Sequence, residues 1–259
     1  IEKSLFYKYH FANGTRSMEA PYSIFASLPN LVDTALVTSS YQSIHIEGLP
    51  AKLVDLGYDT SFLQGAKTGT MFFDQMAKRL GFQNYYGLEQ YPYEGDFDGA
   101  WGVFDEPYLS YCVDLFTEKK EPFLGTVFTL SSHNPYPIPK QHQNKFPKGT
   151  LPIHESIGYA DYALRSFFAK ARLKPWFKNT LFVITGDHSA DLDDPLYKNS
   201  QGKFRVPLVF YHGSGKIKPQ TSLKIAQHSD ITPTILDFLS HKRFQQKSRS
   251  KQMEGYQNA

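Results

Sequence analysis

Three places in this chain carry side chains able to do chemistry. The first is Asp187-His188, where the apolar run Leu181-Phe-Val-Ile-Thr185 ends at Gly186. A carboxylate beside an imidazole suits a divalent ion of borderline hardness such as Zn or Mn, and strand ends are where open α/β sheets gather such groups. Taken alone, the segment is explained as well by a turn in which Asp187 caps the next helix and His188 is solvated. The second place is Thr15-Arg16-Ser17, just after Asn13-Gly14. A serine hydroxyl becomes a nucleophile at neutral pH when a metal or base activates it, and free backbone N–H groups at a helix start would hold phosphate or sulfate oxygens. The plain alternative makes Ser17 a helix N-cap and Arg16 a surface charge. The third place is His133, in the proline-rich stretch Ser131-Ser-His-Asn-Pro-Tyr-Pro-Ile-Pro139.

The elements that must position these groups alternate. Residues 1–30 read as a strand, a turn at Asn13-Gly14, then a helix opening near Ser17 with Met18, Tyr22, Ile24 and Phe25 on its apolar side. Gly57 to Phe62 reads as a short strand feeding a glycine-containing loop, and Met71 to Leu80 has helical spacing. A helix is predicted from Glu106 to Thr117 and a buried strand from Pro122 to Leu130, whose end carries His133. Ile157 to Ala171 is predicted as a helix with Ile157, Tyr162, Leu164, Phe167 and Phe168 on its apolar face. Strands start at Asn179 and at Val206, and a helix opens at Asp230, with Pro233 in its first turn. Strands alternating with helices imply a largely parallel sheet covered on both faces, and Ser17, His133 and Asp187-His188 would then share one rim.

The 259 residues, 41% hydrophobic and 20% charged, suffice for one large core, and a single domain over 1–259 is expected. A net charge of +3 with scattered Lys and Arg excludes a basic nucleic-acid groove; the cluster Lys242 to Lys251 reads as a solvated end. One cysteine, Cys112, rules out an internal disulfide and a cysteine zinc cluster. No run is long enough to cross a membrane, although the missing initiator Met and the opening Ile1-Glu-Lys-Ser suggest a fragment from which upstream segments were cut. Aromatics at 15% fit either a thick core or a sugar- or lipid-facing surface.

Asn13-Gly-Thr-Arg-Ser17 followed by Ser27-Leu-Pro29, Trp101-Gly-Val-Phe-Asp105, Ser131-Ser-His-Asn-Pro135, Tyr159-Ala-Asp-Tyr-Ala163, Gly186-Asp-His188 and Asp230-Ile-Thr-Pro-Thr234 form an ordered set. The set resembles the sulfatase-type branch of the alkaline phosphatase superfamily, and within it the lipoteichoic acid synthase and phosphoglycerol transferase group of bacterial envelope enzymes. The likeness runs from about residue 5 to residue 239. It implies an α/β three-layer sandwich with a largely parallel central sheet. It also implies one divalent metal, Mn or Zn, held by a Glu, the Ser or Thr nucleophile and an Asp-His pair, with a further His on the substrate phosphate. These roles fall on Ser17 as nucleophile and metal ligand, on Asp187 and His188 as metal ligands, and on His133 as the phosphate-binding, catalytic histidine. Thr15 is the competing nucleophile, and Thr15, Arg16 and His228 are further substrate-binding candidates. Ser17 is preferred for its interval to Pro29 and as the first helix residue.

The departures bear on substrate. The family's metal-binding Glu belongs to a strand upstream of Ile1, so this chain is expected to lack that first strand and that ligand. Where lipoteichoic acid synthases place His-Gly-Asp and a nearby Trp and Arg, this chain has Gln64-Gly-Ala66, Met71 and Phe73, implying a more apolar pocket and a single transfer rather than a polymer. The resemblance implies transfer of phosphoglycerol from a lipid phosphodiester donor to an envelope glycan or glycolipid, outside the cytoplasmic membrane, with anchoring by upstream spans. Phosphoethanolamine transfer, phosphodiester hydrolysis and sulfatase chemistry are alternatives, the last weakened because Ser17-Met-Glu-Ala-Pro21 does not match Cys/Ser-x-Pro-x-Arg. A catalytically silent domain binding glycan or lipid headgroups is the alternative of another class.

Overall fold

The structure is a computed structural model that describes residues 2–240; the basic cluster from Lys242 to Lys251 lies outside them. Apolar alternation builds β1 (Leu5–Phe11), and the chain then turns into α1 (Ala20–Ala26) and α2 (Leu49–Val54). Next come β2 (Asp59–Gln64), α3 (Phe73–Leu80), β3 (Asn84–Tyr86), α4 (Asp105–Glu118) and β4 (Phe123–Phe128). The second half holds α5 (Ile153–Ala171), β5 (Leu181–Thr185), β6 (Leu208–His212), β7 (Gln220–Gln227) and α6 over 231–240.

The strands form two sheets, in the orders β5-β6-β1-β7 and β3-β2-β4. The three-stranded sheet is wholly parallel, whereas β6 runs antiparallel to both β1 and β5 in the other. The expectation of a largely parallel sheet therefore holds for β2, β3, β4 and the β1–β7 pair, and fails at β6, a return strand. The two sheets share their covering layers. Trp176 lies against Phe123 of β4 at 5.9 Å between ring centroids and against Phe182 of β5 at 6.4 Å. Ile235 of α6 packs both against the buried cluster that Leu124 and Phe128 of β4 adjoin and against the one that Leu181 and Val183 of β5 adjoin. Among the described residues no ladder joins β4 to β5. β2, flanked on both sides, buries every residue from Thr60 to Gln64, while the more apolar β4 and β5 bury none of theirs fully. The central layer is thus interrupted between β4 and β5.

Two helices depart from their predicted registers. α1 begins at Ala20 rather than Ser17, because residues 17–19 form a turn first. α5 begins at Ile153 and buries Ile153, Ser156, Tyr159, Ala163, Phe167 and Ala171, leaving Ile157 half exposed on the other face. The high aromatic content goes chiefly into the core, where Phe167, Trp176 and Phe177 are buried with Phe168 and Phe182 packed against them.

Candidate active site

The end of β5 delivers Gly186-Asp187-His188 to the turn after β1. There Ser17 Oγ lies 3.2 Å from His188 Nε2, and Asp187 Oδ2 lies 3.5 Å from the same nitrogen. Asp187 also accepts the His188 backbone N–H through Oδ1 at 2.9 Å, which folds the pair into a tight strand-end turn. His188 Nδ1 is 2.7 Å from the Ser189 carbonyl. A carbonyl only accepts, so Nδ1 carries the proton and Nε2 presents a lone pair toward Ser17, whose hydroxyl donates to it. That lone pair, a carboxylate and a hydroxyl form a donor set suited to Zn or Mn, so these residues fit a divalent ion. Among the described residues no group of three or more His, Cys, Asp or Glu is placed to hold a metal.

The turn bearing Ser17 is held by a residue the sequence motifs do not single out. Glu19 is 5% exposed, and its Oε2 accepts the backbone N–H groups of Thr15 at 2.7 Å and Arg16 at 3.1 Å. Its Oε1 accepts Arg16 Nε at 2.7 Å and pairs with the second guanidinium nitrogen. Gly14 closes the arrangement: a Cβ there would stand 2.5 Å from the Glu19 Cβ, so only glycine lets the chain pass. Two expectations are corrected. The N–H groups of Thr15 and Arg16 are spent on Glu19 rather than free for ligand oxygens, and Ser17 is a turn residue, not the first of a helix. Arg16 is likewise engaged by Glu19 and by the Asp33 carbonyl. The only sequence signal for Glu19 is its spacing of three and four residues from Arg16 and Thr15.

Thr15 and Ser17 differ in access. Ser17 is 8% exposed, whereas Thr15 is exposed and, with Arg16, lines an open groove of about 780 Å³. His228 is fully buried behind the strand end. Its Nε2–H donates to the Gly186 carbonyl at 2.9 Å and its Nδ1 accepts the Asn13 N–H at 3.4 Å. Burial pushes its pKa down to about 4, against the opposing bond to Gly186. With both ring nitrogens bonded to the main chain, His228 ties β5 to the Asn13 turn and has no nitrogen left for substrate. That placement corrects the expected substrate-binding role. Buried His10, whose ring lies 5.3 Å from that of His228, is also held neutral by burial.

His133 stands on the loop after β4. Its Nδ1 donates to the Asn134 carbonyl at 2.9 Å, leaving Nε2 with a lone pair, and its ring lies 4.2 Å from that of Trp101. Trp101 Nε1 donates to the same carbonyl at 2.7 Å. Buried Asp105 anchors this loop by accepting the N–H groups of Leu130 and Ser131 at 2.8 and 3.0 Å. Ser17, Asp187 and His188 are brought into direct contact; His133 makes its bonds within its own loop. The residues read as a more apolar substrate pocket are elsewhere. Gln64, Ala66 and Phe73 are at most 1% exposed, the first receiving the Tyr85 hydroxyl at 3.0 Å, so they pack the core, while Met71 is half-buried against the cluster that holds Phe73.

A family model described as Sulfatase matches residues 2–241, and the chain belongs to the sulfatase family. It is similar to phosphoglycerol transferase I of Escherichia fergusonii, 25% identical over 202 residues that cover 74% of this chain and 26% of that protein. It is similar too to lipoteichoic acid synthase 1 of Bacillus subtilis, 25% identical over 219 residues that cover 76% of this chain and 33% of that protein. The matches thus span about a quarter to a third of these relatives' length. Among solved structures, a protein in the alkaline phosphatase superfamily from Vibrio parahaemolyticus superposes with a TM-score of 0.81 at 25% identity, covering 92% of this chain and 58% of that one. The α/β fold is that of the alkaline phosphatase superfamily.

Proposed function

We propose that this chain is the catalytic part of a metal-dependent phosphoglycerol transferase that moves the group from a lipid phosphodiester to an envelope glycan or glycolipid. The observation that carries the reading is the Ser17 hydroxyl at 3.2 Å from the His188 Nε2 lone pair, beside the Asp187 carboxylate. Similarity to phosphoglycerol transferase I and lipoteichoic acid synthase supports the substrate class.

A divalent ion held by Asp187, His188 and the nucleophile would lower the hydroxyl pKa and offset charge on the phosphate oxygens. Ser17 Oγ, its proton released to solvent, attacks phosphorus, forming a P–O bond as the bond to the lipid glycerol oxygen breaks, and it takes a proton back from solvent when it is displaced. His133, taking a proton from solvent at its Nε2 lone pair, hands it to the departing oxygen and keeps its Nδ1–H on Asn134. The phosphodiester on the hydroxyl is then taken by an acceptor hydroxyl, whose proton returns to His133 Nε2. A second reading places the nucleophile on Thr15, favoured by one observation: Thr15 is exposed to the groove, whereas Ser17 is 8% exposed.

The interruption between β4 and β5 is where a further strand, carrying the family's metal-binding Glu, would complete the layer and the ligand set. Anchoring by spans outside this chain would put the domain on the outer side of the cytoplasmic membrane; no helix among the described residues is long and apolar enough to cross one. The test is Ser17→Ala and Thr15→Ala in the full-length enzyme, supplied with a phospholipid donor and a glucan acceptor. Loss of turnover and of the covalent intermediate in Ser17→Ala alone supports the reading. The same loss confined to Thr15→Ala transfers the role to Thr15, and full activity in both variants rejects it.

A further inference from the structure

The run Trp101-Gly-Val-Phe-Asp105 grips the His133 loop at two points. Ahead of the histidine, buried Asp105 accepts the N–H groups of Leu130 and Ser131. Behind it, Trp101 Nε1 donates to the Asn134 carbonyl at 2.7 Å, the same oxygen that takes the His133 Nδ1–H at 2.9 Å. A carbonyl oxygen has two lone pairs, so both bonds form at once. The indole also lies 4.2 Å from the imidazole between ring centroids, with 58° between the planes. The indole is itself fixed. Residues 96–104 fold back on themselves with Phe97 opposite Val103, and Asp98 Oδ1 accepts the N–H groups of Ala100, Trp101 and Gly102 at 2.7, 2.8 and 3.1 Å. Gly102 lets this turn lie on the loop after β2, where a Cβ would collide with the Gly65 carbonyl.

We infer that Trp101 is the positioning residue of His133, holding the imidazole in the Nδ1–H tautomer and at a fixed angle so that Nε2 is the nitrogen that exchanges a proton with the substrate. His133 is half-buried on a loop where Pro135, Pro137 and Pro139 supply no backbone N–H. A bond from Nδ1 to the carbonyl of the very next residue is local, and a ring held by that bond alone can turn away from it and exchange tautomers. The indole removes both freedoms. Its N–H holds the shared carbonyl in place, and its ring fills the space beside the imidazole. Proton transfer depends on such placement, since a side chain displaced by about 1 Å can cost a factor of about a hundred in rate. Trp101 acts through His133 and needs no contact with the phosphodiester. The inference rests on the phosphodiester reading for the proton that His133 delivers; the clamp stands on the two bonds and the ring contact.

The experiment uses the full-length protein as wild type, Trp101→Phe, Trp101→Ala and His133→Ala. Two donors are compared in single turnover: dihexanoyl phosphatidylglycerol, whose glycerol oxygen needs a proton to leave, and glycerol p-nitrophenyl phosphate, whose nitrophenolate leaves without one. Trp101→Ala is expected to slow release of dihexanoylglycerol about a hundredfold and to lower the ratio of alkyl to aryl release about tenfold or more. Trp101→Phe, which keeps a ring and loses the N–H, should fall between it and the wild type. The nitrogen-15 spectrum of the His133 imidazole reads the clamp without reference to turnover: the Nδ1–H tautomer in the wild type, an average of both tautomers in Trp101→Ala. An unchanged tautomer in Trp101→Ala overturns the proposal. So does an unchanged release ratio there when His133→Ala lowers it, since the indole would then serve only the fold of the loop. If the alanine variant does not fold, the same two measurements on Trp101→Phe decide, with the same refuting results. An averaged tautomer in Trp101→Ala, with a release ratio that His133→Ala leaves unchanged, upholds the clamp and rejects separately the reading of His133 as the proton donor.

Discussion

Glu19 is the residue on which the candidate nucleophiles depend most, and its contribution can be worked from its contacts. One carboxylate oxygen accepts two backbone N–H groups, and the other holds the Arg16 guanidinium. Glu19→Ala removes both acceptors, whereas Glu19→Gln keeps a carbonyl that can serve the two backbone N–H groups and loses chiefly the ion pair. The ion pair with Arg16, whose side chain is 49% exposed, is screened and contributes about 1 kcal/mol or less. The larger loss is at the part-buried backbone donors, where a group left without its acceptor costs about 1–3 kcal/mol. Glu19→Ala should therefore destabilise the fold by about 2–4 kcal/mol, while Arg16→Ala, which removes the exposed ion pair and the exposed bond to the Asp33 carbonyl, should cost about 1 kcal/mol. Urea unfolding followed by tryptophan fluorescence measures both. In the full-length enzyme, turnover by the alanine variant should fall more than affinity, because the hydroxyls of Thr15 and Ser17 lose their fixed position. Equal destabilisation by the two substitutions would refute the reasoning, since the carboxylate would then act only as a surface charge.

The tautomers of three histidines are set by backbone carbonyls and are open to direct reading. Nitrogen-15 spectra of imidazole at neutral pH should show the proton on Nδ1 in His133 and His188 and on Nε2 in His228; Nε2 protonation of neutral His188 would remove the lone pair from the site. His228, held neutral with a pKa of about 4 against 6.5 for an unperturbed imidazole, should make stability depend on pH. The unfolded state binds the additional proton, so this contribution is complete above pH 6.5 and is lost as pH falls toward 4, by about 3 kcal/mol in all at 1.36 kcal/mol per unit. Urea midpoints at pH 7 and pH 4.5 should differ more in the wild type than in His228→Gln, and equal differences would show that the ring is not the source.

What the sequence disclosed and what it hid divide along physical lines. β5 and the Asp187-His188 pair were legible because a continuous apolar run ends abruptly in polar residues; the same contrast exposed β4 and His133. β7 left no such trace. Its Gln220-Thr-Ser-Leu-Lys-Ile-Ala-Gln227 is an edge strand of mixed polarity that buries only Ala226, and what makes it a strand is parallel pairing with β1, which no local pattern encodes. α1 was placed three residues early because Ser17 has the chemistry of an N-cap, yet the turn at 17–19 is imposed by Glu19 reaching back to Thr15 and Arg16.

The same limit applies to function. Residue types named the candidate ligands, but Asp187 and His188 meet Ser17, which lies 171 positions before His188 in the chain, only because β5 and β1 are joined through β6. The resemblance assigns Gln64, Ala66, Met71 and Phe73 to a pocket, yet Gln64 on β2, Ala66 just after it and Phe73 on α3 are buried in the core, and Met71 is half-buried against it. Substrate preference therefore cannot be argued from those positions. It has to be argued from the side chains that face solvent beside the hydroxyls, namely Thr15, Arg16, Leu31 and Val32. A pocket that was to have been apolar through lost charges at Gln64 and Phe73 gives way to an open groove of mixed polarity beside Thr15, where Leu31 and Val32 face solvent.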